Sequence, residues 1–142
     1  HPEAEGAINA IRLALEEGQY EKGMRVYYNA HGTSTPLNDK SETLAIKSVF
    51  GEKAKEIHIS STKSMTGHML GAAGAAEAIV SILALQNKRI PPTIGYKEAD
   101  PECDLNYTPN VSREADVDLA ISTSLGFGGH NGVLTFIKGE DE

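Results

Sequence analysis

Two histidines, a lysine and a glutamate are spaced so that a single site can use them all. His31 stands in the run Ala30-His31-Gly-Thr-Ser-Thr-Pro36, and Lys63 comes five residues before His68 in Ser61-Thr-Lys63-Ser-Met-Thr-Gly-His68. Glu77 closes the next stretch, Gly71-Ala-Ala-Gly74-Ala-Ala-Glu77. Imidazole and ammonium donors brought together in this way stabilise negative charge as it develops on a carbonyl oxygen. A cation beside an imidazole lowers its pKa and favours the neutral ring, which donates one N–H to an enolate and accepts at its other nitrogen. His58, in the middle of an apolar alternation, and His130 read instead as ordinary satisfied side chains. A zinc site is disfavoured, because no two histidines stand three or four residues apart and the single cysteine, Cys103, is remote from them. The glycine-rich run Gly126-Phe127-Gly128-Gly129 fails the test for a dinucleotide fingerprint, since it leads into a strand and not a helix. It reads as a hairpin loop with Phe127 exposed at its tip.

The elements that must position these groups follow from periodicity. Pro2 to Gly18 predicts an amphipathic helix with Ala7, Ile8, Ile11 and Leu15 on one face and Gly18 as its stop. Met24 to Asn29 alternates as a strand, and the small, hydroxylic His31 loop follows it directly, where α/β folds place their sites. Asp39 as N-cap, with Glu42 three residues on, predicts a helix running to Phe50 and closed by Gly51. Ile57 to Ser61 predicts a second strand. Gly67 to Asn87 predicts a helix whose first half is small enough for another backbone to pass close to it. Its second half, Ala78 to Leu85, is apolar nearly all round, which predicts burial. Pro91-Pro92 forbids more helix, and Thr93 to Arg113 predicts a turn-rich path over the surface. Leu119–Leu125 and Gly132–Ile137 predict a hairpin around Gly126–Gly129. This order predicts an α/β layer fold with a mostly parallel sheet, an antiparallel C-terminal hairpin, and helices on its faces. In such a sheet the loops at His31, Lys63 and Phe127 leave from one side.

Composition bounds what that site can serve. The 142 residues suit one domain, with 39% hydrophobic residues to form a core. The net charge of -7 and pI near 5.2, with no basic cluster, argue against nucleic acid as a partner. Cys103 cannot form an internal disulfide and has no neighbour that would activate it. With no apolar run of membrane-spanning length and no signal-peptide pattern, a cytoplasmic protein without membrane attachment is expected. Asn106-Tyr-Thr and Asn110-Val-Ser are then chance matches to the glycosylation pattern. The chain begins at His1 without a methionine, which suits a piece of something longer.

Three runs carry a resemblance: Asn29-Ala-His31-Gly-Thr33-Ser-Thr35-Pro36, then Ser61-Thr-Lys63-Ser-Met-Thr-Gly-His68 with Gly71-Ala-Ala-Gly74, and Leu125-Gly-Phe127-Gly-Gly-His-Asn131. In order and spacing they resemble the β-ketoacyl-acyl-carrier-protein synthases of fatty-acid synthesis, the type II condensing enzymes in particular. The resemblance covers nearly the whole chain, and it is to the carboxy-terminal half of a thiolase-like fold built from two similar halves. It implies that residues 1–142 are the C-terminal ketosynthase domain and that the family's nucleophilic cysteine belongs to a missing N-terminal half. Cys103 matches no catalytic position.

The resemblance also implies roles. The family transfers an acyl chain from carrier-protein phosphopantetheine to the cysteine, then decarboxylates malonyl-carrier protein to an enolate that attacks the acyl thioester. His31 and His68 would stabilise that enolate, with Lys63 holding His68 and Glu77 as the ionic partner of Lys63. Thr33 and Thr35 would bind pantetheine. The Phe127 N–H would complete an oxyanion hole, its ring gating the acyl pocket while Gly126, Gly128 and Gly129 let the loop swing. Acyl-carrier protein and the N-terminal half are the implied partners, and a homodimer is implied for the complete enzyme. No metal or organic cofactor is expected, because the phosphopantetheine arrives on the carrier protein. The half alone is expected to be inactive. An initiating synthase would carry Asn in place of His68, and a thiolase would carry a second cysteine near its carboxy terminus. A silent fragment or a chain-length-factor-like interaction partner is the alternative from another class.

Overall fold

The alternation of apolar side chains along Val26, Tyr27 and Tyr28 places a strand with both faces covered, and all three are buried. The computed structural model describes residues 2–21, 23–30, 36–60, 73–91, 112–125 and 131–137. In chain order these form α1 (Pro2–Glu17), β1 (Val26–Asn29), α2 (Pro36–Phe50), a 3₁₀ turn (Gly51–Glu56), β2 (His58–Ser60) and α3 (Ala73–Asn87). They continue with β3 (Arg89–Ile90), β4 (Arg113–Glu114), β5 (Leu119–Leu125) and β6 (Asn131–Ile137). Among the described residues one sheet runs β2-β1-β5-β6, and β3 and β4 make a separate pair. The strands β2, β1 and β5 are parallel, while β6 turns back antiparallel to β5. The mostly parallel α/β sheet with its C-terminal hairpin is therefore as the periodicity predicts.

Strand alternation divides the core in two. Val26, Tyr28, Ile59, Leu119 and Ile121 face α1 and α2, meeting Ile11, Leu15, Ile46 and Phe50. Tyr27 and Ala120 face the other way, onto Ala84 and Leu85 of α3. Full burial of an Ile or Leu side chain is worth about 1.5–3 kcal/mol, so the two layers hold the sheet from both sides.

Local differences from the sequence reading have physical causes. The helix α1 ends at Glu17, directly before Gly18 as expected, and the left-handed conformation after it belongs to Gln19, at φ 57°. A Cβ on Gly18 would lie 2.6 Å from Thr135 Oγ1, so its role is to let β6 approach the helix. The helix α2 starts three residues before Asp39, at Pro36, whose missing N–H costs nothing at a helix start. Glu42 is consequently interior to that helix, where it is buried rather than closing a capping box. Gly51, at φ 60°, ends α2 as expected. The burial expected of α3 holds on one side only: Glu77, Ser81, Ala84 and Leu85 are covered, while Ile79, Ile82 and Leu83 are exposed. The pairing of β3 with β4 was not visible as periodicity, because strands of two residues are too short to show any. The predicted start of α3 at Gly67, and most of the stretch Thr93 to Arg113, lie outside the described residues.

Candidate active site

Parallel pairing fixes where the three motif loops begin. Asn29 stands opposite Ser60 of β2 and Ser122 of β5, so β1 and β2 end level with one another and β5 continues past them. Ala30 N–H donates to Ser60 C=O at 2.9 Å, tying the residue before His31 to the residue three before Lys63. On β5 the ladder with β6 persists to Leu125 opposite Asn131, at the base of the Gly126–Gly129 loop. All three loops start at the carboxyl edge of one parallel sheet, where α/β folds bind ligands.

Beneath that edge lies a polar floor on the α3 side of the sheet. The hydroxyls of Tyr27 and Ser60 share a 2.7 Å hydrogen bond, and Asn29 Nδ2 donates to the Tyr27 oxygen at 3.2 Å. All three residues are buried, as is Ser122. Burial raises the Tyr27 phenol above its ordinary pKa, with a smaller push from the Glu77 charge, against the lowering effect of its Ser60 and Asn29 hydrogen bonds. Tyr27 therefore stays neutral and acts as a fixed hydroxyl. Asn29 Oδ1 is buried without a hydrogen-bond partner among the described residues, which leaves one acceptor at the strand ends.

Glu77 is the one residue of the sequence-derived site that the described residues include. It is 3% exposed, on the inner face of α3, and close enough to Tyr27 for its charge to act there. Ser81 Oγ donates to the Glu77 carbonyl at 2.9 Å, one turn back along the same helix. A buried carboxylate thus lies on α3 within electrostatic reach of the Tyr27 hydroxyl of β1. His31, Thr33, Thr35, Lys63, His68, Gly126, Phe127, Gly128 and Gly129 lie outside the described residues. His58 is in β2 and half-buried, on a strand and not in a loop.

A second polar cluster, on the opposite face of the sheet, had no counterpart in the sequence reading. Glu42 Oε1 accepts from Tyr28 Oη at 3.3 Å and from Thr123 Oγ1 at 3.0 Å, and Thr123 Oγ1 also lies 3.2 Å from the Asn29 carbonyl. All four residues are buried. A signal for both clusters was present: Asn29, Ser60, Ser122 and Thr123 are polar residues at the ends of otherwise apolar parallel strands, and buried polar groups require partners. Among the described residues no group of three or more His, Cys, Asp or Glu side chains is placed to hold a metal. Nor is any helix among them long and apolar enough to cross a membrane.

Comparison with known proteins follows the same lines. The chain is 51% identical over 139 residues to 3-oxoacyl-[acyl-carrier-protein] synthase 2 of Staphylococcus aureus (strain COL), covering 98% of this chain and 34% of that protein. The protein of the same description from Synechocystis sp. is 51% identical over 137 residues, covering 96% and 33%. The chain therefore spans about a third of the length of the curated relatives it matches. Among solved structures, a ketosynthase in complex with its type II polyketide acyl-carrier protein superposes with a TM-score of 0.91 at 40% identity, covering 96% of this chain and 34% of that one. A β-ketoacyl synthase from Burkholderia phymatum superposes with a TM-score of 0.88 at 37% identity, covering 96% and 33%. Residues 1–97 match the family described as Beta-ketoacyl synthase, C-terminal domain, and the chain belongs to that family.

Proposed function

We propose that this chain supplies the enolate-stabilising half of a 3-oxoacyl-(acyl-carrier-protein) synthase active site, in an enzyme that elongates fatty acids by decarboxylative Claisen condensation. The observation that carries this reading is the common edge at which β1, β2 and β5 deliver the loops of His31, Lys63 with His68, and Phe127. Partners in the reaction are an acyl-carrier protein and an N-terminal half bearing the nucleophilic cysteine. The complete enzyme is a homodimer in this reading.

The steps follow from the residue types. The cysteine thiolate of the other half attacks the acyl thioester and takes the acyl group, releasing the carrier's thiol. Malonyl-carrier protein then enters with its pantetheine arm against Thr33 and Thr35. Loss of carbon dioxide leaves the electron pair of the broken C–C bond on the thioester as an enolate. His31 and His68 donate to that oxygen, and the low dielectric of the site magnifies the effect. Lys63 favours the neutral form of His68, and the buried Glu77 balances the lysine charge. The enolate carbon attacks the acyl-enzyme carbonyl, whose oxyanion accepts from the Phe127 N–H. Collapse of that intermediate expels the cysteine thiolate and frees the 3-oxoacyl product. None of these steps calls on a metal or on an organic cofactor beyond the carrier's phosphopantetheine.

The test separates the two half-reactions in the complete synthase. His31→Ala and His68→Ala are each expected to slow malonyl decarboxylation by about two orders of magnitude or more, the usual cost of losing an oxyanion donor, while cysteine acylation persists. Equal loss of both half-reactions would point to a collapsed site and overturn the assigned roles. The chain by itself is expected to take no acyl group; a stable adduct on Cys103, seen by intact mass, would contradict this. A condensation assay on the complete protein tests the alternative of a silent, chain-length-factor-like partner, which predicts that no 3-oxoacyl product forms.

A further inference from the structure

The covered residues of α3, Glu77, Ser81, Ala84 and Leu85, recur at helical spacing and form one stripe that faces the sheet. Ala84 and Leu85, toward the end of that stripe, pack in one cluster with Tyr27 of β1. The Tyr27 hydroxyl reaches the last residues of β1 and β2, where Ser60 Oγ lies 2.7 Å from it and Asn29 Nδ2 donates to it at 3.2 Å. Glu77, at the other end of the stripe, is near enough for its charge to act on that phenol. Tyr27, Asn29, Ser60 and Glu77 are all buried. One tyrosine therefore carries the packing of α3 at its ring and meets the field of Glu77 at its hydroxyl.

We infer that Tyr27 is a positioning residue for Glu77: its hydroxyl, anchored by Ser60 and Asn29, is a fixed polar neighbour that helps hold the buried carboxylate in place and charged. This rests on the role proposed above for Glu77 as the balancing charge of the site. A carboxylate withdrawn from water needs dipoles in exchange, and dipoles already held in place cost no rearrangement when charge moves during a reaction. The phenol is held in this way, because two hydrogen-bond partners keep it from turning aside. Burial above all, with a smaller push from the Glu77 charge, keeps it protonated, so it meets the carboxylate as a neutral hydroxyl and not as a second anion. Phenylalanine would fill the same space beside Ala84 and Leu85 and offer Glu77 no dipole.

The test is a double-mutant cycle in the complete synthase, with Tyr27→Phe, Glu77→Gln and the two combined. Tyr27→Phe is expected to slow malonyl decarboxylation about tenfold, while cysteine acylation, whose nucleophile the N-terminal half supplies, stays within about twofold. In the Glu77→Gln background the same change is expected to cost no more than about twofold, because the charge it serves is gone. Equal costs in the two backgrounds overturn the inference. So does an equal slowing of both half-reactions with a fall in melting temperature, which would make the hydroxyl a support of the fold alone. If Tyr27→Phe does not fold, Ser60→Ala loosens the same hydroxyl and is put through the same cycle, with the same outcomes for and against. Glu77→Gln by itself separates the two levels. Unchanged decarboxylation there removes the proposed role of Glu77 and the inference with it, whereas a slow Glu77→Gln beside an additive Tyr27→Phe removes the inference alone.

Discussion

At the scale of single residues, the buried hydroxyl of Tyr27 decides more than its position in a strand suggests. It holds Ser60 and Asn29 in one hydrogen-bonded row under the loop origins. Tyr27→Phe removes the hydroxyl and strands two buried polar groups, so a loss of about 1–3 kcal/mol is expected in denaturant unfolding. The pH dependence has a definite sign. The folded phenol is raised above its ordinary 10.0, so its contribution is whole below that pH and is lost as pH climbs toward the folded value, because the unfolded chain ionises first. Stability measured from about pH 9 to about pH 11 is expected to fall in the parent and to fall less in Tyr27→Phe. At Phe127 the expectation is kinetic. If the ring gates the acyl pocket, Phe127→Ala in the complete enzyme slows acylation and alters chain-length preference, yet costs under about 1 kcal/mol, against about 3–5 for a truncated core Phe. A large drop in melting temperature with unchanged kinetics would show a packing residue instead.

At the scale of elements, the contact between α1 and β6 is set by the absence of a side chain. Gly18 leaves no room for a methyl group: Thr135 Oγ1 would be 2.6 Å and the Ala14 carbonyl 3.1 Å from its Cβ. The threonine cannot simply turn away, because its hydroxyl donates to that same carbonyl at 3.3 Å. Gly18→Ala is expected to destabilise the chain by about 1–3 kcal/mol through overpacking. In a Thr135→Ala background the penalty should shrink, and thermal melts of the two single variants and the double variant measure the coupling. Additive effects would mean that the contact is softer than its geometry implies.

At the scale of the whole molecule, α3 has more apolar surface than this chain covers. Ile79 is 58% exposed, Leu83 47% and Ile82 36%, and Leu134 on the same face of the sheet is 54% exposed. Soluble monomers seldom leave such residues contiguous and open. In the synthase proposed above, the expected cover is the N-terminal half. Alone, the chain is expected to self-associate or to bind a hydrophobic dye, and Ile79→Lys with Leu83→Glu to reduce both. Sedimentation equilibrium at low concentration decides the matter, and a dye-silent, cooperatively melting monomer would show that this face needs no partner.

Much of this was legible in the chain, for a reason that can be stated. Strand alternation, helix periodicity and the Gly51 stop are local properties, and they yield the parallel sheet, the hairpin and the common edge of the three loops. The candidate site residues stood out in the sequence because His, Lys and hydroxylic side chains beside glycines have few uses except chemistry, and of them the described residues include Glu77 alone. What depends on distant partners was not legible. Glu42, three residues after Asp39, has the spacing of a capping box, and only the packing of α2 against β1 and β5 turns it into the acceptor for Tyr28 and Thr123. Gly18 is legible as a helix stop, but that it also makes room for β6, more than a hundred residues away, is not. The helix α3 looks buried all round because its composition reports the surroundings it was selected for, while its exposure reports only what this chain folds around it. Sequence determined which residues could act and on which elements they sit; tertiary structure decided which of them meet, because a hydrogen bond or a steric contact depends on distance in space and not on separation along the chain.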